Sequence, residues 1–122
     1  MVEAKVVHLT SVHNAFDVRI FAKECKSLAR AGHDVVLVVP HDRDEVVDGV
    51  VIKSVPRAGG RVSRMMRTVW KLYREALRQD AEIYHFHDPE LIPVGLLLRA
   101  RGKKVIYDIH EDYPQAILSI YH

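Results

Sequence analysis

Short runs of Val and Ile alternate along this chain with longer stretches in which apolar residues recur every three or four positions. AKVVHLT (4–10), DVVLVV (34–39), VVIKSVP (50–56), EIYHFH (82–87) and KKVIYDIH (103–110) read as five strands. Their nearly continuous apolar character is that of strands buried on both faces. Helical periodicity falls at about 17–31, 62–79 and 90–101. Gly32 and Gly102 stand where the first and third of these helices should stop. Between the second and third strands there is only HDRDEVVDG (41–49), a charged loop or hairpin connection with no room for a helix. Strands alternating with helices predict an α/β, three-layer, Rossmann-like domain with a mainly parallel sheet. The right-handed crossover rule makes 3-2-1-4-5 the natural strand order.

That order locates a site before any motif is considered. Open parallel sheets bind ligands beyond the carboxyl ends of their strands, where the strand order reverses. The reversal here lies between the first and fourth strands. The loops that meet there are SVHNAFDVR (11–19) and HDPE (87–90), with HEDYP (110–114) beside them. Histidines and carboxylates therefore converge on one edge of the sheet.

The chain has 122 residues, enough for one domain with a real core, and its 48% hydrophobic and 28% charged content is ordinary for a globular protein. A net charge of +2 gives no global reason for a nucleic-acid partner. Cys25 is the single cysteine, which excludes an internal disulfide and suits a reducing cytosol. The first residues lack the apolar stretch of a signal peptide, and no apolar run approaches the roughly 20 residues of a membrane span.

Three loops and one helix carry the candidate chemistry. The first strand-to-helix turn has no glycine, which argues against an ordinary dinucleotide site. It offers His13, Asn14, Asp17 and Arg19 instead. Asn14 or Asp17 is equally suited to capping the helix, and Arg19 to pairing with a neighbouring carboxylate or an anion. In HFHDPE, His85 and His87 share a strand face. With Asp88, His110 or Glu111 as a third ligand they are a candidate metal set, although strand histidines are more often structural or substrate-contacting. Pro89 ends the strand, and Glu90 suits the first turn of the next helix. At a strand end in the cleft, His110 is a reasonable hydrogen-bond donor or proton shuttle. In the helix 62–79, Arg64, Arg67, Lys71, Arg74 and Arg78 fall within an arc of roughly 80°, with Trp70 at its border. This is either a solvated basic face or a contact surface for an anionic membrane.

HLTSVHNAFDVRIFAKECKSLARAGHDVVLVVP and HFHDPELIPVGLLLRARGKKVIYDIHEDYP resemble the opening of family-four (group 1) retaining glycosyltransferases, in a subgroup with a D-x-R-I-F signature. The resemblance covers nearly the whole chain. It implies one half of a GT-B fold, with residues 1–122 forming the acceptor-side N-terminal domain. The implied activity moves a sugar from a nucleotide-diphosphate donor to a glycan or lipid-linked acceptor, with retention at the anomeric carbon. By the same resemblance His110 faces the transferred sugar as the catalytic residue, and no metal or cofactor is expected. The candidate substrate contacts, from the loops that meet at the switch point, are His13, Asn14, Asp17, Arg19, His87, Asp88 and Glu111. His13–Asn14–Ala15 stands where many relatives have a Gly-Gly turn near the donor phosphates.

The family's donor-binding domain and paired-glutamate motif have no counterpart in these residues. The chain is therefore expected to be inactive alone, to self-associate through apolar surface, and to work in polysaccharide assembly in the cytoplasm, peripheral to the inner membrane face. The competing readings are a non-catalytic Rossmann-like module that binds an anion or partner, and a metal-dependent hydrolase built on His85, His87 and His110.

Overall fold

The computed structural model describes residues 4–11, 15–56, 62–88 and 91–107. Its elements are β1 (Lys5–Leu9), a π-helical segment (Val18–Cys25) running directly into α1 (Lys26–Arg30), β2 (Asp34–Pro40), β3 (Glu45–Val47), β4 (Val50–Val55), α2 (Val62–Gln79), β5 (Ile83–Phe86), α3 (Ile92–Ala100) and β6 (Lys104–Tyr107). One six-stranded sheet has the order β3-β4-β2-β1-β5-β6. All pairings are parallel except the antiparallel β3–β4 pair. The five strands expected from the sequence take the expected order, and β3 is added at the edge.

That extra strand explains the charged loop 41–49. Asp48 and Gly49 both have positive φ, 52° and 82°. Two such residues between paired strands match the type I′ turn that suits a two-residue hairpin. Val47 therefore pairs with Val50, and VVDGVV folds back on itself. Gly32 and Gly102 also take positive φ, at the stops expected of them.

Strand alternation divides the core in two. On one face Val7, Leu9, Val36, Val38, Tyr84 and Phe86 meet Leu72, Tyr73 and Ala76 of α2 and Val94 and Leu98 of α3. On the other, Ile20, Phe21 and Cys25 of the π-helical segment cover Val35, Leu37, Val39, Val50 and Ile52. Burial and the neighbouring Glu24 charge push the Cys25 thiol well above its ordinary range, so it stays protonated and inert. Tyr84 ties α2 to β5, since its hydroxyl donates to the Ala76 carbonyl at 2.8 Å and accepts from the Ala81 amide at 2.9 Å.

Helix α3 lies close against the sheet at Gly95. A Cβ there would lie 2.4 Å from two ring carbons of Phe86. Phe86 is fully buried, with its ring 4.8 Å from that of Tyr107 in a tilted pair, so it has little room to move aside. Gly95→Ala is expected to destabilise the fold by about 1–3 kcal/mol in urea titrations, because overpacking outweighs the helix-propensity gain of alanine.

Candidate functional site

The switch point lies between β1 and β5, where chain connections depart in opposite directions. Backbone pairing continues slightly beyond the strands there, with the His87 amide donating to the Leu9 carbonyl at 3.1 Å. The two loops that follow are joined by one carboxylate. Asp88 Oδ2 accepts from the Thr10 hydroxyl at 2.6 Å and from the Ser11 amide at 2.8 Å. Both Asp88 and Thr10 are buried. Asp88 thus locks the rim of the site, whereas the sequence suggested that it would meet a ligand.

Asp17 takes the capping role that the sequence left open. Its Oδ1 accepts from the Ile20 amide at 3.0 Å, satisfying a donor at the start of the π-helical segment. The Asp17 carbonyl accepts from both Phe21, at 2.8 Å, and Ala22, at 3.3 Å. The second of these is the i→i−5 bond of a π turn. Widening of the helix accompanies the placing of Glu24 over the sheet.

His87 turns inward as well. It is 2% exposed, with Nε2 2.9 Å from Nδ1 of His8. His8 and His85 are register partners on β1 and β5, so their rings stand side by side on one sheet face. Ring centroids are 4.6 Å apart for His8–His85, 5.1 Å for His8–His87 and 4.5 Å for His85–His87, all stacked. Glu24 reaches down onto this stack, its Oε1 lying 4.0 Å from His8 Nδ1, 3.8 Å from His85 Nε2 and 3.9 Å from His87 Nε2. Desolvation by burial, reinforced by the neighbouring His85, pulls the His8 pKa down to about 3 and keeps that ring neutral.

The expected partners of His85 and His87 were therefore misplaced in one respect. Asp88 is committed to Thr10 and Ser11, and the groups that converge on the two histidines are His8 and Glu24. His8 lies inside a strand and Glu24 in the middle of a helix, 61 positions from His85 (85 − 24 = 61). The helical pattern did not mark Glu24 as unusual. The one available signal was that His8 interrupts an otherwise apolar strand at an inward position. His13, Asn14, His110 and Glu111 lie outside the described residues, as do the side chains of Arg19 and Arg64.

The basic helix is as the periodicity suggested over its described part. Arg67, Lys71, Arg74 and Arg78 are exposed, while Leu72, Tyr73 and Ala76 are buried. Met66 is 67% exposed and Trp70 56% exposed, while Thr68 is buried.

Comparison with known proteins settles the family. The model of "Glycosyltransferase Family 4" matches residues 18–122, most of the chain. The chain belongs to glycosyltransferase family 4. No curated protein matches it. Among solved structures, two of the C-terminal domain of a hydrogenase from Pyrococcus furiosus are similar to this family-4 domain. One has 13% identity and a TM-score of 0.57, covering 86% of this chain and 91% of that one. The other has 15% identity and a TM-score of 0.55, covering 85% and 90%. At such identities the likeness concerns the Rossmann-like fold alone.

The Asp88 lock gives this family-4 domain a measurable dependence. Hydrogen bonds to a carboxylate contribute roughly 1.5–3 kcal/mol, and losing one leaves buried donors unsatisfied. Asp88→Ala is expected to lower unfolding stability by about 3 kcal/mol in urea. Asp88→Asn, which keeps an acceptor oxygen, should lose clearly less.

Proposed function

We propose that this family-4 chain is the acceptor-side module of a retaining glycosyltransferase that moves a sugar from a nucleoside-diphosphate donor to a glycan or lipid-linked acceptor at a cytoplasmic membrane face. The family match over residues 18–122 carries the reading. The switch point built around Asp88 supports it, because a locked rim at the carboxyl ends of β1 and β5 is where such sheets receive ligands. His110 follows β6 in the sequence and is the residue that the resemblance assigns to the transferred sugar. The described sheet supplies one wall of a cleft, so the 122-residue chain by itself binds rather than turns over.

The test is release of nucleoside diphosphate from a panel of UDP- and GDP-sugars in the presence of lipid extract. It compares the 122-residue chain alone with the same chain joined to a donor-binding C-terminal domain of the family. The joined protein should turn over, and His110→Ala should reduce kcat by roughly 10²–10⁴-fold. Absence of acceptor-dependent release across the panel would overturn the transferase reading. Turnover by the 122-residue chain would overturn its dependence on a second half.

A membrane-facing role for α2 is favoured by Met66 and Trp70. Both are exposed among Arg67, Lys71 and Arg74. Apolar side chains within a cationic face suit the boundary of an anionic bilayer, where each basic residue near the surface contributes about 1 kcal/mol. No helix among the described residues is long and apolar enough to cross a membrane. Sedimentation with phosphatidylglycerol vesicles should recover the chain at low salt. Trp70→Ala and Lys71→Glu should each reduce that recovery, and equal recovery on neutral vesicles would discard the idea.

A further inference from the structure

The His8–Glu24–His85–His87 cluster has no part in the proposed transfer reaction. It lies on the sheet face under the π-helical segment, while Asp88 and Thr10 form the rim. Four potential ligand atoms, three imidazole nitrogens and one carboxylate oxygen, all lie within 4.8 Å of one another. The spacings within the cluster differ. His8 and His87 do approach to 2.9 Å, but Glu24 Oε1 stands 3.8–4.0 Å from all three ring nitrogens. That is too long for a hydrogen bond to any of them and nearly equal for each.

Those separations suit an atom placed between them. Zinc–nitrogen and zinc–oxygen distances of about 2.0–2.1 Å put the corners of a tetrahedron roughly 3.3 Å apart. The observed spacings lie on both sides of that value, and the stacked rings would turn about their side-chain torsions to point four ligand atoms at one ion. The donor set is also chemically apt. Imidazole is a preferred ligand of first-row divalent ions, and one carboxylate supplies negative charge. His8 turns Nδ1 toward the other three groups, and that ring is fully buried. Access exists too. A largely apolar cavity of about 410 Å³, lined in part by Val6, Leu28, Ile83 and Ile106, opens onto His8, Glu24 and His85.

We propose that His8, Glu24, His85 and His87 bind one divalent first-row transition-metal ion, zinc by preference, in a structural site that staples the first helix to β1 and β5. Four protein ligands close the coordination sphere, which is the pattern of a structural rather than a catalytic zinc. The ion would hold the π-helical segment against the two strands that carry the switch point. This inference does not depend on the transferase reading.

The test uses the untagged chain, stripped with a chelator and titrated with Co²⁺ and Zn²⁺. One equivalent of Co²⁺ should give the intense visible bands of tetrahedral coordination, and Zn²⁺ should displace it. Zinc at a hundredfold excess over Kd should raise Tm by roughly 10 °C. Glu24→Gln and His85→Asn replace partly exposed residues and should stay folded by circular dichroism while losing affinity at least about a hundredfold. His41→Asn, at the surface pair with Glu45, should change nothing. A folded chain that shows neither the Co²⁺ spectrum nor a zinc-dependent Tm overturns the proposal. So does affinity that survives both Glu24→Gln and His85→Asn, which would place the ion on other histidines. All readouts are binding and stability, so failure here leaves the transferase assay untouched.

Discussion

The parallel pairing of β1 with β5 is the constraint on which the rest of the molecule depends. Its register sets Val7 beside Tyr84, His8 beside His85 and Leu9 beside Phe86. Successive side chains of a strand point to opposite faces, so this register sends Val7, Leu9, Tyr84 and Phe86 to the α2/α3 side and His8 and His85, together with Val6 and Ile83, to the other. A slip of one residue would exchange the two sets and bury imidazoles against Leu72 and Leu98. The same pairing is where the strand order reverses, which makes it both the centre of the fold and the edge of the site.

Burying His8 and His87, with His85 half-buried beside them, has a physical cost that this arrangement offsets locally. Polar groups removed from water destabilise a fold unless they find partners. Here they find one another and Glu24, through stacked rings, a 2.9 Å contact and a shared carboxylate. Asp88 follows the same logic one step further along the chain, where its buried carboxylate is matched by a hydroxyl and an amide. Two polar clusters of different composition thus sit within a few residues of each other on β5. One braces the sheet from below and the other shapes its rim.

The two sides of α2 divide labour in a comparable way. Leu72, Tyr73 and Ala76 seal the core while the arginines and Lys71 remain in water. The Tyr73 hydroxyl accepts from Arg101 at 3.1 Å, which ties α2 to the turn after α3. Membership of glycosyltransferase family 4 gives this layered domain a context, and the hydrogenase domain shares its fold at 13% identity.

By itself, the sequence determined the elements and their order. Continuous Val/Ile runs can only be strands covered on both faces, the α2 pattern spans Val62–Gln79 as observed, and Gly32 and Gly102 mark stops that need positive φ. These are local properties, written in periods of 2 and 3.6 and in backbone freedom. The edge strand β3 was legible only as a charged loop, since three residues are too few for a period to show. What the tertiary structure alone decided is which polar residues meet. Alternation revealed that His85 and His87 share a face, but not that His8 would lie in register beside them or that a π turn would bring Glu24 above. It likewise left Asp17 and Asp88 free to serve a ligand, while the folded chain uses both to satisfy its own amides. Contacts between residues 60 to 80 positions apart depend on register and helix placement, and neither is a property of any single stretch of sequence.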